Sequence, residues 1–279
     1  MLARGARASD ALQIPAERPP VSTVPVLVVD VGNSGAKIGL VRGEDVAGPV
    51  RLPRADAAAV REFARPLVRD EKALVAVCGS DAVRAKDLAW ELGKVGFPGA
   101  VVVTHDHAGL PRGKAKQPES AGVDRRVQVL GASALAAGPA IVVSAGTALT
   151  VDVCSADGGL LGGSIGIGLG LAAKALTVGA ERLPLVDLAG AVPLPATDTE
   201  TAIRAGIVVG AAGAVERLVE AMRQGASTPV FLTGADAAVL SAHLRLVHRV
   251  HGGLGLLGVA IAVRRAPPSP GHGLIGASS

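Results

Sequence analysis

Short runs of β-branched and aliphatic residues alternate along this chain with stretches whose apolar positions recur every three or four residues. These are the spacings of strands and helices. Residues 26–30 form a strand-like run that ends on Asp30, and 36–41 is a second strand across the turn Gly32-Asn33-Ser34-Gly35. Helical spacing follows at 55–69 and 82–95, with strands at 73–77 and 100–104, a loop over 105–121 and a helix over 123–137. The order then starts again. Strands are predicted at 140–143, 147–153 and 160–165, and helices at 167–178 and 199–222. A strand at 230–233, a helix from Ala235, a strand within 246–250 and a helix over 254–263 complete the chain. Each half opens with strand, small-residue turn, strand: Asp30-Val31-Gly32-Asn33-Ser34 in the first, Ser144-Ala145-Gly146-Thr147-Ala148-Leu149-Thr150 in the second. This echo predicts two related α/β lobes, 25–138 and 139–263, facing each other across a cleft. Residues 1–24 and 264–279 have no strong period and are expected to be a loose arm and tail.

Composition narrows the function classes. Apolar residues make up 49% of the chain, ample for a buried core. With three Phe, one Trp and no Tyr, it lacks the stacking platforms of single-strand nucleic-acid binders. The net charge of +4 comes from basic residues interleaved with acidic ones rather than gathered in a stripe, so no nucleic-acid partner is expected. Arg4, Arg7 and Arg18 lie near the start without an apolar signal core. The Gly- and Val-rich stretch 140–180 is broken by Ser144, Asp152, Asp157 and Lys174, so no membrane span is expected. The expectation is a cytoplasmic protein in which Cys78 and Cys154 are buried free thiols.

The two turns have the chemistry of phosphate grips. Glycine lets a backbone come close to a ligand, and a concave set of N–H groups with small polar side chains accommodates phosphate oxygens. A carboxylate at the strand end can hold Mg²⁺ that bridges those oxygens. Asp30, Gly32, Asn33 and Ser34 would form one grip, and Gly146, Thr147 and Thr150 the opposing one. An ordinary hairpin turn uses the same residue types. There is no GxxxxGK[ST] loop, and the segment 162–170 lacks a GxGxxG register after a strand. His105 and His107 are two candidate ligands without a placed third, a poor zinc site.

The order of motifs resembles the type III pantothenate kinases of the actin/hexokinase/Hsp70-like superfamily. Asp30-Val31-Gly32-Asn33-Ser34 is similar to that family's first phosphate motif, and residues 118–125, ending Gly122-Val123-Asp124-Arg125, to its P-x-x-x-G-A-D-R segment. Residues 144–150 resemble D-F-G-T-A-T-T, 162–169 resemble G-G-A-I-x-P-G-L, 198–206 resemble N-T-x-x-A-x-x-x-G, and Thr233-Gly234-Ala235 stands where the family has T-G-G. The resemblance implies two ribonuclease H-like (actin-like ATPase) lobes and transfer of the γ-phosphate of ATP to the 4′-hydroxyl of pantothenate, the opening step of coenzyme A synthesis. It implies ATP contacts at Asp30, Val31, Gly32, Asn33, Ser34, Gly35, Ala36, Lys37, Gly146 and Thr147, with Mg²⁺ held through Asp30. It makes Asp124 the proton acceptor and Gly122, Val123, Asp124, Arg125 and Thr199 the substrate site, with Arg125 a candidate partner for the pantothenate carboxylate. Asp124 and Thr199 could instead be helix N-caps. A homodimer is also implied.

Three departures qualify this. Ser144 replaces the Asp that in the family binds a monovalent cation, so weak or absent activation by K⁺ or NH₄⁺ is expected. The family tyrosine before the G-A-D-R segment is missing, and Lys114, Lys116 and Gln117 lie nearby. Ala235 replaces a glycine. A degenerate relative that binds nucleotide or pantothenate with little catalysis is the alternative, and a kinase of another small alcohol a third.

Overall fold

The computed structural model describes residues 24–32, 35–68, 72–114, 121–223, 227–267 and 274–275. The expected arm apart from Val24, most of the tail, Asn33, Ser34 and residues 115–120 lie outside them. Two sheets carry the chain. In the first, β1 (Val26–Gly32), β2 (Gly35–Arg42) and β3 (Asp45–Leu52) form an antiparallel meander. Then β4 (Ala73–Gly79) joins β1 in parallel, and β5 (Val101–Val103) joins β4 in parallel. The second sheet repeats the plan. β6 (Ala140–Ala145), β7 (Ala148–Cys154) and β8 (Leu160–Ile167) are antiparallel, β9 (Val230–Thr233) runs parallel to β6, and β10 (Arg249–Val250) parallel to β9. Both sheets thus have the same strand order, which is the repeat that the sequence echo predicts.

The central strands are buried on both faces, so they read as unbroken apolar runs. Val26 and Val28 of β1 point into one core, while Leu27, Val29 and Val31 point into the other. α1 (Ala57–Ala64) and α2 (Ala82–Lys94) cover the outer face of the first sheet. Each starts on an aspartate cap: Asp56 Oδ1 accepts from Ala59 N at 2.8 Å, and Asp81 Oδ1 from Val83 N at 2.9 Å. α3 (Val123–Ala136) lies against the inner face of the second sheet. α4 (Leu169–Gly179) packs on α5 (Thr199–Met222), which with α6 (Ala237–Ser241) covers the outer face. α7 (Leu254–Arg265) returns to the first sheet and packs on β1, β2 and β4.

The two halves therefore exchange a helix: α3, early in the chain, lies on the late sheet, and α7, late in the chain, lies on the early one. Between the sheets α3 and α7 cross nearly backbone to backbone. A Cβ on Gly258 would stand 1.7 Å from Val127 O, and one on Gly131 2.4 Å from Leu254 O. The buried Arg264 fastens the end of α7, donating to Val24 O at 3.1 Å, Gly43 O at 2.8 Å and Val41 O at 2.9 Å.

Two strands are additional to the sequence prediction. β3 is largely exposed and interrupted by Gly48-Pro49, features of an edge strand that hide it from periodicity. Within the expected tail, β11 (Leu274–Ile275) pairs antiparallel with β4. The helix expected from Ala235 starts at Ala237, and that expected from 167 starts at Leu169. Among the described residues no helix is long and apolar enough to cross a membrane, and Cys78 and Cys154 are buried and free.

Candidate active site

The first grip is built on the β1–β2 hairpin. Gly32 and Gly35 face each other across its open end. Gly35 has φ +131°, and a Cβ there would stand 2.3 Å from Leu52 O, so glycine is required. Asn33 and Ser34, expected at the tip, lie outside the described residues. The side chains of Val31 and Ala36 are buried in the outer core, so these two can offer a ligand only their backbone. Asp30 is part-exposed beside them and pairs across the hairpin with Lys37. Burial pushes the Asp30 carboxyl above its ordinary value, against the pull of the Lys37 charge and of a hydrogen bond from the Cys78 thiol, whose Sγ is 3.5 Å from Oδ1. Cys78 sits on β4 directly beside Asp30. Strand assignment alone could not give it this role.

The second grip is the β6–β7 turn. Gly146 N donates to Ala148 O at 3.0 Å, and Thr147 O accepts from Gly168 N at 3.1 Å. Two more glycines close on it: a Cβ on Gly168 would lie 2.0 Å from Gly146 O, and one on Gly234 2.2 Å from Ala145 O. Ser144 stands opposite Thr150 on β7 and Thr233 on β9, which puts three neutral hydroxyls in a row on one face of the sheet. The Thr150 hydroxyl is buried on the same face as the Asp152 carboxyl, which it helps to draw down.

The start of α3 lies between the two sheets, with Val123 in the core of the first and Arg125 tied to the second. Its N-cap is Gly122, and no side chain caps it. Asp124 is one residue past the helix start, not at the cap, which removes the cap-only reading. Its carboxylate curls back over Gly122, where a Cβ would be 2.4 Å from Asp124 Oδ1. The Asp124 charge acts on Asp30 of the first sheet and on Asp152 of the second, raising both, so it is within electrostatic reach of each. Val123 is turned into the core.

Arg125 reaches the second sheet. Its Nε donates to both Asp152 oxygens at 3.1 Å, and its Nη2 also donates to Oδ1. Asp152 is fully buried. Burial pushes its carboxyl up, and the hydrogen bonds and charge of Arg125 draw it back. Motif matching missed this partnership. Its one sequence signal is a carboxylate in the middle of an apolar strand.

Thr199 is placed elsewhere. It is the first residue of α5, whose cap is Asp198, with Oδ1 accepting from Thr201 N at 2.9 Å. With Ser164, Ile167, Ile203 and Gly210, Thr199 lines an apolar groove of about 970 Å³ between β8, α4 and α5. None of the candidate carboxylates lines it. His107 accepts from Gly109 N through Nδ1 at 3.2 Å, and His248 lies 2.8 Å from Ser241 Oγ through Nε2.

The family model for type III pantothenate kinases matches residues 26–221. A type III pantothenate kinase of Porphyromonas gingivalis is 33% identical over 239 residues, which span 84% of this chain and 95% of that protein. Another, from Halorhodospira halophila, is 38% identical over 205 residues, 70% of this chain and 80% of that protein. Among solved structures, the activator of the 2-hydroxyisocaproyl-CoA dehydratase from Clostridium difficile with bound ADPNP aligns with a TM-score of 0.53 at 14% identity. The alignment covers 86% of this chain and 94% of that one.

Proposed function

This chain belongs to the type III pantothenate kinase family, and from that premise we propose that it moves the γ-phosphoryl group of ATP to the 4′-hydroxyl of pantothenate, with Asp124 as proton acceptor. Its paired sheets are those of the actin-like ATPase fold. The observation that supports the residue assignment is the position of Asp124 at the start of α3, between the two sheets and within electrostatic reach of Asp30 on one and Asp152 on the other.

Phosphoryl transfer depends on positioning and on neutralising charge. The two turns would take the triphosphate along their backbone: Val31, Gly32, Gly35, Ala36 and Lys37 with Asn33 and Ser34 on one side, and on the other Thr147 with Gly146, whose own N–H is spent on Ala148 O and which serves by letting the chain come close. Asp30 is an oxygen donor at a strand end and fits the Mg²⁺ that accompanies ATP; that ion supplies neutralisation of the phosphate oxygens. Asp124 takes the proton of the hydroxyl. The alcohol oxygen bonds to the γ-phosphorus, the bond from that phosphorus to the β–γ bridging oxygen breaks, and ADP leaves. Gly122 lets the Asp124 carboxylate fold back, and Arg125 would receive the substrate carboxylate. Asp124→Asn is expected to lower kcat by about 10²–10⁴-fold with ATP binding retained. Near-normal turnover by this variant would remove Asp124 from the role.

The lobes are taken as 25–138 and 139–263, exchanging α3 and α7. A homodimer is supported by the exposed Ile165 and Ile167 in the apolar groove at the sheet edge, which also holds Thr199, and by Leu171 and Val178 exposed on α4. Sedimentation at micromolar concentration should show two copies, and Ile165→Glu one. Monovalent-cation activation is expected to be weak, because Ser144, Thr150 and Thr233 bring no charge. A cytoplasmic setting agrees with two buried free thiols.

A further inference from the structure

We infer that Asp152 is a positioning residue for substrate recognition: it clamps one edge of the Arg125 guanidinium and so aims the other edge at the substrate carboxylate. The inference rests on the reading of Arg125 given above.

The geometry is a fork held from the side. Asp152 takes the edge formed by Nε and one proton of Nη2. Nη1 and the second Nη2 proton, at the end of the fork, remain for another carboxylate. The pair is unequal in burial, with the Arg125 side chain 16% exposed and that of Asp152 only 1%. A pair serving only to pin α3 to the sheet would need no open end. That pinning is already supplied by Val129 and Ala132 packing on Ala140 and Val142, and by the close crossing with α7.

The anchor is rigid. Asp152 lies in the middle of β7, opposite Val142 on one side and Gly163 on the other. Gly163 leaves the space the carboxylate fills: a Cβ there would stand 2.3 Å from Asp152 Oδ1. The guanidinium is thus referenced to the sheet rather than to its own flexible stem. Because Asp152 balances the charge of Arg125, discrimination comes from directed N–H groups, and misdirecting them should abolish it.

The test compares kcat/KM for pantothenate with that for the analogue whose carboxylate is replaced by a primary alcohol. Asp152→Asn should raise the pantothenate KM by about tenfold with kcat within about threefold, the scale on which removal of an orienting partner acts. The alcohol analogue should be little affected, so the preference for pantothenate collapses, as it should in Arg125→Lys. Equal losses on both substrates would make the pair merely structural and overturn the inference. A lower KM would mean that Asp152 competes with the substrate, and would also overturn it. If Arg125→Lys keeps the full preference, the reading of Arg125 fails, and the inference with it. Should Asp152→Asn not fold, the Arg125 Nε–H resonance of the unmodified protein, identified by its absence in Arg125→Lys, gives the answer. It should exchange slowly with solvent and shift on adding pantothenate but not the alcohol analogue. Rapid exchange, or no shift, sinks the proposal.

Discussion

Asp30 is under two opposed demands. To hold a metal beside phosphate it must be ionised, yet its surroundings disfavour the charge. Burial is the largest cause, only partly countered by Lys37 and by the Cys78 thiol, and Asp124 adds to the strain. The sign for stability follows. A carboxyl raised in the folded state binds more protons there than in the unfolded chain between the two pKa values. Stability therefore falls as pH rises through that window, and the cost is complete once the folded-state carboxyl has ionised. Asp30→Asn removes it. The variant should melt at a higher temperature than the unmodified protein at pH 7, and this advantage should vanish when the pH drops below the unfolded carboxyl's pKa. Its kcat should fall at least about a hundredfold as the metal contact is lost. Thermal melts across pH read the first effect and ADP release the second. A lower melting temperature at pH 7 would contradict the balance described.

Among the elements, the α3–α7 crossing sets how the two sheets stand to each other. Gly258→Ala puts a Cβ against backbone, not a movable side chain, so the helices must separate. The expected loss is about 2–3 kcal/mol, read by urea unfolding. Gly93 of α2 has nothing within 4 Å of an added Cβ, and Gly93→Ala should be neutral or stabilising by up to about 1 kcal/mol. Similar effects at the two glycines would mean that the crossing is not tight. The contrast marks where sequence is legible. α5 and β9 have the predicted bounds, because Asp198 caps the one and a short, fully buried run, Val230-Phe231-Leu232-Thr233, forms the other. β3 was hidden by its exposure on an edge, and β11 by being two residues that pair with β4, far away in the chain. Gly131 and Gly258 look like ordinary helix-interior glycines until their partner is placed.

At the scale of the whole molecule, the repeat of one sheet plan decides how Ser144 should be read. Turn residues and the Asp124-Arg125 pair were legible because each grip is local; the tie from Arg125 to Asp152 was not, since it joins a helix to a strand 27 residues on. Strand for strand, Ser144 takes in β6 the place of Asp30 in β1. Each stands two residues before the turn glycine, with Lys37 and Cys78 flanking Asp30, and Thr150 and Thr233 flanking Ser144. The first half thus sets a carboxylate beside a cation and a thiol, and the second sets a hydroxyl between hydroxyls. The carboxylate on that face of β7, Asp152, is engaged by Arg125. At these three positions a monovalent cation would meet neutral hydroxyls, with no charge of their own to help offset its dehydration. Turnover by the unmodified chain should therefore be the same in potassium as in a bulky inert cation at equal ionic strength. Ser144→Asp adds a charge between two hydroxyls already suited to complete a coordination shell. Its turnover should rise several-fold on adding potassium, with half-saturation in the millimolar range or below. Potassium activation already present with Ser144, or an aspartate variant indifferent to the ion, would show that the two halves do not correspond in this way.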